Sequence, residues 1–125
     1  MRYIFDTSIL IDGLRTGKNA RDTVALFDNK DNFLYISSIT AFELFAGLSS
    51  KKIDQIKKIK KLLDYFEIID LNWNIGKIAG EIYRDKAKNL QVPDYIIAAT
   101  ALEIGATVVT LNKKHFEKIE NLLIY

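Results

Sequence analysis

The chain has 125 residues, 49% apolar and 27% charged, with no cysteine and a single histidine, His115. That composition suits one folded domain over residues 1–125, long enough to bury roughly two-thirds of its unfolded surface without a disulfide or a structural metal. It excludes disulfide frameworks, zinc fingers, iron–sulfur clusters, thiol catalysis and histidine-rich metal sites, while a net charge of +2 permits an anionic partner without demanding one.

Taken in chain order, short apolar runs alternate with helical patterns. Tyr3-Ile4-Phe5 reads as a buried strand, followed by a helix over 7–14 with Ile9, Leu10 and Leu14 inward, then a second over 20–27. Phe33–Ile36 is the next strand. Ala41, Leu44, Phe45 and Leu48 then form an amphipathic stripe, and Ile53, Ile56, Ile59 and Leu63 another. Ile68-Ile69 with its flanks reads as a third strand, and Ile75, Ile78, Ala79, Ile82 and Tyr83 mark a helix after it. Residues 95–104 are apolar nearly all round, which predicts a central helix ending at Gly105. Thr107–Thr110 is a fourth strand, and Leu122–Tyr125 a candidate fifth. The strands are rich in β-branched and aromatic residues without apolar/polar alternation, as expected when both sheet faces are covered. The expectation is an α/β/α three-layer domain around a mainly parallel sheet of four to five strands. No run approaches the roughly 20 apolar residues that span a bilayer, and an acid arrives too early for a signal peptide. No membrane association and a cytoplasmic location are therefore expected.

Four positions carry the chemistry. Asp6 directly follows the first strand, where ligands bind in open α/β sheets, although Asp-Thr-Ser is also ordinary helix-capping sequence. Glu43 stands at the flank of its helix stripe; read alone, it is equally an exposed helical Glu. Asp94 follows Pro93 at the start of the most apolar helix, where a cap and an ionised ligand look alike. Asn112 follows the fourth strand, at the edge that a parallel sheet shares with Asp6, and Thr110 and Asn112 offer neutral oxygens. Clustered carboxylates repel in a low dielectric unless a cation compensates them, and oxygen-only ligands select a hard ion, Mg²⁺ or Mn²⁺.

Four blocks in this order, Tyr-Ile-Phe-Asp-Thr-Ser-Ile-Leu-Ile-Asp at 3–12, Ser-Ile-Thr-Ala-Phe-Glu-Leu-Phe-Ala-Gly at 38–47, Pro-Asp-Tyr-Ile-Ile-Ala-Ala-Thr-Ala-Leu at 93–102 and Val-Val-Thr-Leu-Asn-Lys-Lys-His-Phe at 108–116, resemble the PIN-domain family. Within it they resemble the VapC-type toxins of prokaryotic toxin–antitoxin pairs, over essentially the whole chain. The resemblance implies a Mg²⁺- or Mn²⁺-dependent endoribonuclease. It puts Asp6, Glu43 and Asp94 on the acidic metal positions and Asn112 on a fourth catalytic position that is Asp in many members. Thr7 or Ser8, and Thr110, fall where the family has supporting hydroxyls. Asn89-Leu90 departs from a Gly often found before the Asp-bearing helix; Asn tolerates the left-handed backbone such a turn needs. The resemblance also implies an RNA substrate, a cognate VapB-type antitoxin and a homodimer.

For RNA phosphates, Lys113 and Lys114 beside Asn112 are the best placed bases, with Arg15, Lys18 and Arg21 as flanking candidates. The lysines at 51, 52, 57, 58, 60 and 61 read as a solvated helix face. His115 is expected to pack or bond locally beside Phe116 rather than ligate metal, and Trp73 and the six tyrosines are assigned to the core. A receiver domain is excluded because Asp6 is followed by Thr7 rather than a second acid, and a haloacid-dehalogenase phosphatase because Ser8 stands where its second Asp belongs. The alternatives that survive are a non-catalytic RNA- or protein-binding module, motivated by Asn112, and a housekeeping RNA-processing nuclease.

Overall fold

A computed structural model describes residues 1–47 and 52–125. Leu48 and Lys51, singled out above, lie outside the described residues. Strand β1 (Arg2–Phe5) leads into α1 (Thr7–Arg15), a 3₁₀ turn (Arg21–Thr23) and α2 (Val24–Asp28). Next come β2 (Phe33–Ser37), α3 (Ser38–Ala46), α4 (Ile53–Leu63) and β3 (Glu67–Ile69). The chain ends with α5 (Trp73–Asp85), α6 (Val92–Ile104), β4 (Thr107–Val109) and α7 (Lys113–Phe116).

The sheet order is β3-β2-β1-β4, and all three pairings are parallel. The candidate fifth strand shrinks to one parallel bridge, Ile124 with Val108, closed by hydrogen bonds from Val108 N to Leu123 O and from Tyr125 N to Val108 O. Alternate residues of each strand feed opposite cores. Ile4 and Val108 pack with α5, α6 and Phe116, whereas Phe5, Ile36 and Val109 pack with Ile9, Leu10, Leu26, Leu44 and Ile59. This double coverage explains why the strands read as unbroken apolar runs.

The chain adds β2 and β3 on one side of β1 and then crosses to place β4 on the other. The strand order therefore switches direction between β1 and β4, and the crevice beyond their carboxyl ends is where an open α/β sheet binds ligand. Asp6 and Thr110 are the residues that leave those two strands, joined at the top of the sheet by Asp6 N to Val109 O at 2.9 Å.

Helix α6 is buried along most of its length and stops at Gly105, whose φ of +67° is the left-handed cap expected from the sequence. Asn89 adopts φ +73° in the turn before α6, so the Asn-for-Gly departure keeps the turn. The lysines at 52, 57, 58, 60 and 61 are all exposed, as read. Several apolar assignments fail. Trp73 is 79% exposed, and Tyr65, Tyr83 and Tyr125 are also exposed rather than in the core. Ile53, read as inward, sits exposed at the first turn of α4, beyond the edge of its core.

Candidate functional site

Three elements deliver one carboxylate each to the crevice. Asp6 lies on the β1–α1 junction, Glu43 in the second turn of α3, and Asp94 in the first turn of α6. With Thr7, Ser8, Ile11, Gln91, Pro93, Asn112 and His115 they line a single cleft of about 240 Å³. Asp6 and Asp94 are buried and Glu43 is half-buried, so the site is a recess rather than a solvated face.

Each carboxylate is held through one oxygen. Asp6 Oδ2 accepts from the Thr110 hydroxyl at 2.7 Å and from the Ser8 hydroxyl at 2.8 Å. Those hydroxyls in turn accept backbone N–H groups, Asn112 N to Thr110 Oγ1 at 2.9 Å and Leu111 N to Ser8 Oγ at 3.2 Å. The turn after β4 is thereby tied to the acid after β1. Glu43 Oε1 accepts from the Thr7 hydroxyl at 2.6 Å, which also stands 3.0 Å from the buried Thr40 hydroxyl. Asp94 Oδ2 accepts from Gln91 N at 3.3 Å and lies 3.3 Å from His115 Nδ1. Gln91 N to Asp94 is the back-bond of a capping box, so the cap reading of Asp94 and its place in the cleft are both correct. Among the described residues the other oxygen of each carboxylate makes no hydrogen bond to protein.

Burial pushes the Glu43 carboxyl above its ordinary range; the Thr7 hydroxyl pulls it part of the way back, and the negative charges of Asp6 and Asp94 push it up again. Burial likewise raises Asp94, which the Gln91 N–H lowers, Asp6 raises and His115 lowers. The acids are thus close enough to repel one another. Among the described residues the cleft lining contains no lysine or arginine to neutralise them.

This donor set fits a hard divalent cation. All the oxygens are of the type such ions take, and positive charge at the free oxygens would relieve the repulsion. Among the described residues no three Asp, Glu, His or Cys side chains stand close enough together to hold a metal ion by themselves. The arrangement suits an ion that keeps part of its water shell, as Mg²⁺ does.

The structure brings together most of the residues singled out in the sequence: Asp6, Thr7, Ser8, Glu43, Asp94 and Asn112 line the cleft, and Thr110 braces it from below. Asn112 is exposed, and its backbone N–H is held by Thr110. Lys113 and Lys114 border an adjoining hollow that shares Asn112 and His115 with the cleft. Arg15 is not brought there. It ends α1, eight residues beyond Thr7, about 12 Å away at the rise of an α-helix. The His115 side chain stands beside Asp94, Nδ1 lying 3.3 Å from Oδ2. Gln91, at capping-box spacing from Asp94, went unnoticed although that spacing is visible in the sequence.

A family model described as PIN domain matches residues 3–122. Ribonuclease VapC2 of Rickettsia felis is 33% identical over 129 residues, covering 99% of this chain and 96% of that protein. Ribonuclease VapC19 of Mycobacterium tuberculosis is 27% identical over 95% of both. The crystal structure of VapBC2 from Rickettsia felis bound to a promoter DNA fragment superposes with a TM-score of 0.84, at 30% identity, over 100% of this chain and 98% of that one. VapBC-1 of nontypeable Haemophilus influenzae superposes at 0.81 with 25% identity, over 100% and 97%.

Proposed function

The chain belongs to the PIN-domain family, and from that premise we propose that it is a Mg²⁺- or Mn²⁺-dependent endoribonuclease, the toxin of a VapBC-type toxin–antitoxin pair. The observation that carries the reading is the cleft itself. Three carboxylates, from the β1–α1 junction, α3 and α6, line one cleft where the strand order switches, and among the described residues each is fastened by one oxygen with the other unbonded. The names of its relatives, Ribonuclease VapC, support RNA as the substrate class.

In this reading Asp6, Glu43 and Asp94 hold the ion. When bound, the ion supplies Lewis acidity at the scissile phosphate and lowers the pKa of an attacking water. The protein's own part is positional. Ser8 and Thr110 fix Asp6, Thr7 fixes Glu43, and Gln91 fixes Asp94, so that little reorganisation is needed during the reaction. Asn112 offers a neutral amide where a fourth acid would add charge. Lys113 and Lys114, beside the adjoining hollow, neutralise phosphates of the RNA strand leaving the cleft. No His, Cys or Lys nucleophile is required.

VapBC complexes among its structural neighbours support a VapB-type antitoxin as partner, its chain laying a cationic side chain against the three acids and so displacing the ion. Assembly as a homodimer and action in the cytoplasm complete the reading. Among the described residues no helix is long and apolar enough to cross a membrane. The test is cleavage of RNA in Mn²⁺ against an EDTA control, with Asp6→Asn and Asp94→Asn. Cleavage needing the metal and lost in both variants, with the melting temperature of each undiminished, is expected. Wild-type rates in either variant sink the assignment. A protein that binds Mn²⁺ and RNA without cutting is instead the non-catalytic module that Asn112 favours.

A further inference from the structure

Resting on the nuclease reading, we infer that His115 is a positioning residue for Asp94: its Nδ1–H holds Oδ2 jointly with Gln91 N–H, leaving Oδ1 free for the divalent ion. Three observations converge. His115 Nδ1 lies 3.3 Å from Asp94 Oδ2, and the imidazole shares the cleft with all three acids. An ionised carboxylate only accepts, so this contact requires the proton on Nδ1. The ring is also held in place by its neighbour. Phe116 is fully buried in the core that α6 completes, and His115 N donates to Asn112 O at 2.9 Å, which fixes the short α7 on which the imidazole stands.

The other two acids show the same arrangement with different donors. Hydroxyls of Ser8 and Thr110 hold Asp6, and that of Thr7 holds Glu43. Among the described residues Asp94 has no hydroxyl partner. Its backbone bond to Gln91 is long, so the imidazole is the side chain that completes the set. Fastening α7 to α6 is an insufficient explanation of the contact. Phe116 already does that, and the His115 side chain is 47% exposed, where a polar pair adds little to stability.

The test separates orientation from packing. Mn²⁺ affinity, read by the EPR signal of free ion, is expected to fall about 10- to 100-fold in His115→Leu, the usual effect of losing a group that orients a ligand. The metal-free melting temperature should stay that of wild type. His115→Asn, whose side-chain N–H lies near the position of Nδ1, should recover most of the affinity. With one histidine in the chain, a ¹⁵N-imidazole spectrum of the metal-free protein gives one unambiguous ring, expected as the Nδ1–H tautomer. Unchanged or tighter Mn²⁺ binding in His115→Leu overturns the inference, as do an Nε2–H tautomer and an Asn variant as weak as Leu. If the wild type itself takes up no Mn²⁺, the nuclease reading fails and carries this assignment down with it.

Discussion

Replacing Thr110 by Val keeps the shape of a residue that is 3% exposed and removes one oxygen. That oxygen donates to Asp6 Oδ2 at 2.7 Å, accepts Asn112 N at 2.9 Å and stands a longer 3.4 Å from the Ser8 hydroxyl. A hydrogen bond to a charged group contributes about 1.5–3 kcal/mol and a neutral one about 0.5–1.5 kcal/mol. Ser8 still donates to the same Oδ2, which favours the lower half of the first range. The expected destabilisation is therefore about 2–4 kcal/mol, a large part of the roughly 5–15 kcal/mol that holds a domain folded. Urea denaturation of the metal-free protein measures it, with Thr110→Ser as the control that keeps the hydroxyl. Ser8→Ala alone and combined with Thr110→Val completes a cycle. Because both hydroxyls converge on one oxygen, the double variant should cost more than the sum of the single ones, with a coupling of about 0.5 kcal/mol or more. A Thr110→Val cost under about 0.5 kcal/mol would refute the claim that this hydroxyl joins the turn after β4 to the acid after β1.

Two further outcomes follow from the same geometry. Glu43 and Asp94 are raised from ordinary values of 4.5 and 3.8, so across the window just above those values the folded chain holds more protons than the unfolded one. Their contribution in EDTA is therefore least favourable at neutral pH and improves as pH falls through the raised values. Denaturation midpoints at a series of pH values should show Asp94→Asn flattening that slope; identical slopes in both proteins contradict a raised Asp94 carboxyl. Asn112→Asp restores a fourth acid at the cleft rim and should change the relative Mg²⁺ and Mn²⁺ response of cleavage while leaving the melting temperature in EDTA nearly constant. Superimposable metal titrations would place Asn112 away from the ion.

What the sequence made readable is what depends on neighbours along the chain. Tyr3-Ile4-Phe5-Asp6 announces a strand with an acid at its carboxyl end because strand and acid are adjacent. Gly105 and Asn89 announce their positive φ because few residues accept it. The ambiguity of Asp94 between cap and ligand dissolves for the same reason, since the first turn of a central helix is at once a capping position and the mouth of the crevice. The errors lie where the answer depends on what crosses over. Tyr83 stands at the edge of the α5 apolar stripe, and helical period does not say which edge of a stripe stays bare, whereas Trp73, the first residue of α5, lies opposite Ile75, Ile78 and Ile82, so its exposure follows from the period. Arg15 is close to Asp6 in number, but the length of α1 separates it from the cleft. Phe116 is a core anchor, and on a helix adjacent residues point to different sides. That rule accounts for where His115 stands. Burying Phe116 forces His115 off the core side, and at the end of β4, which runs beside β1, the direction left open is the cleft that holds Asp94.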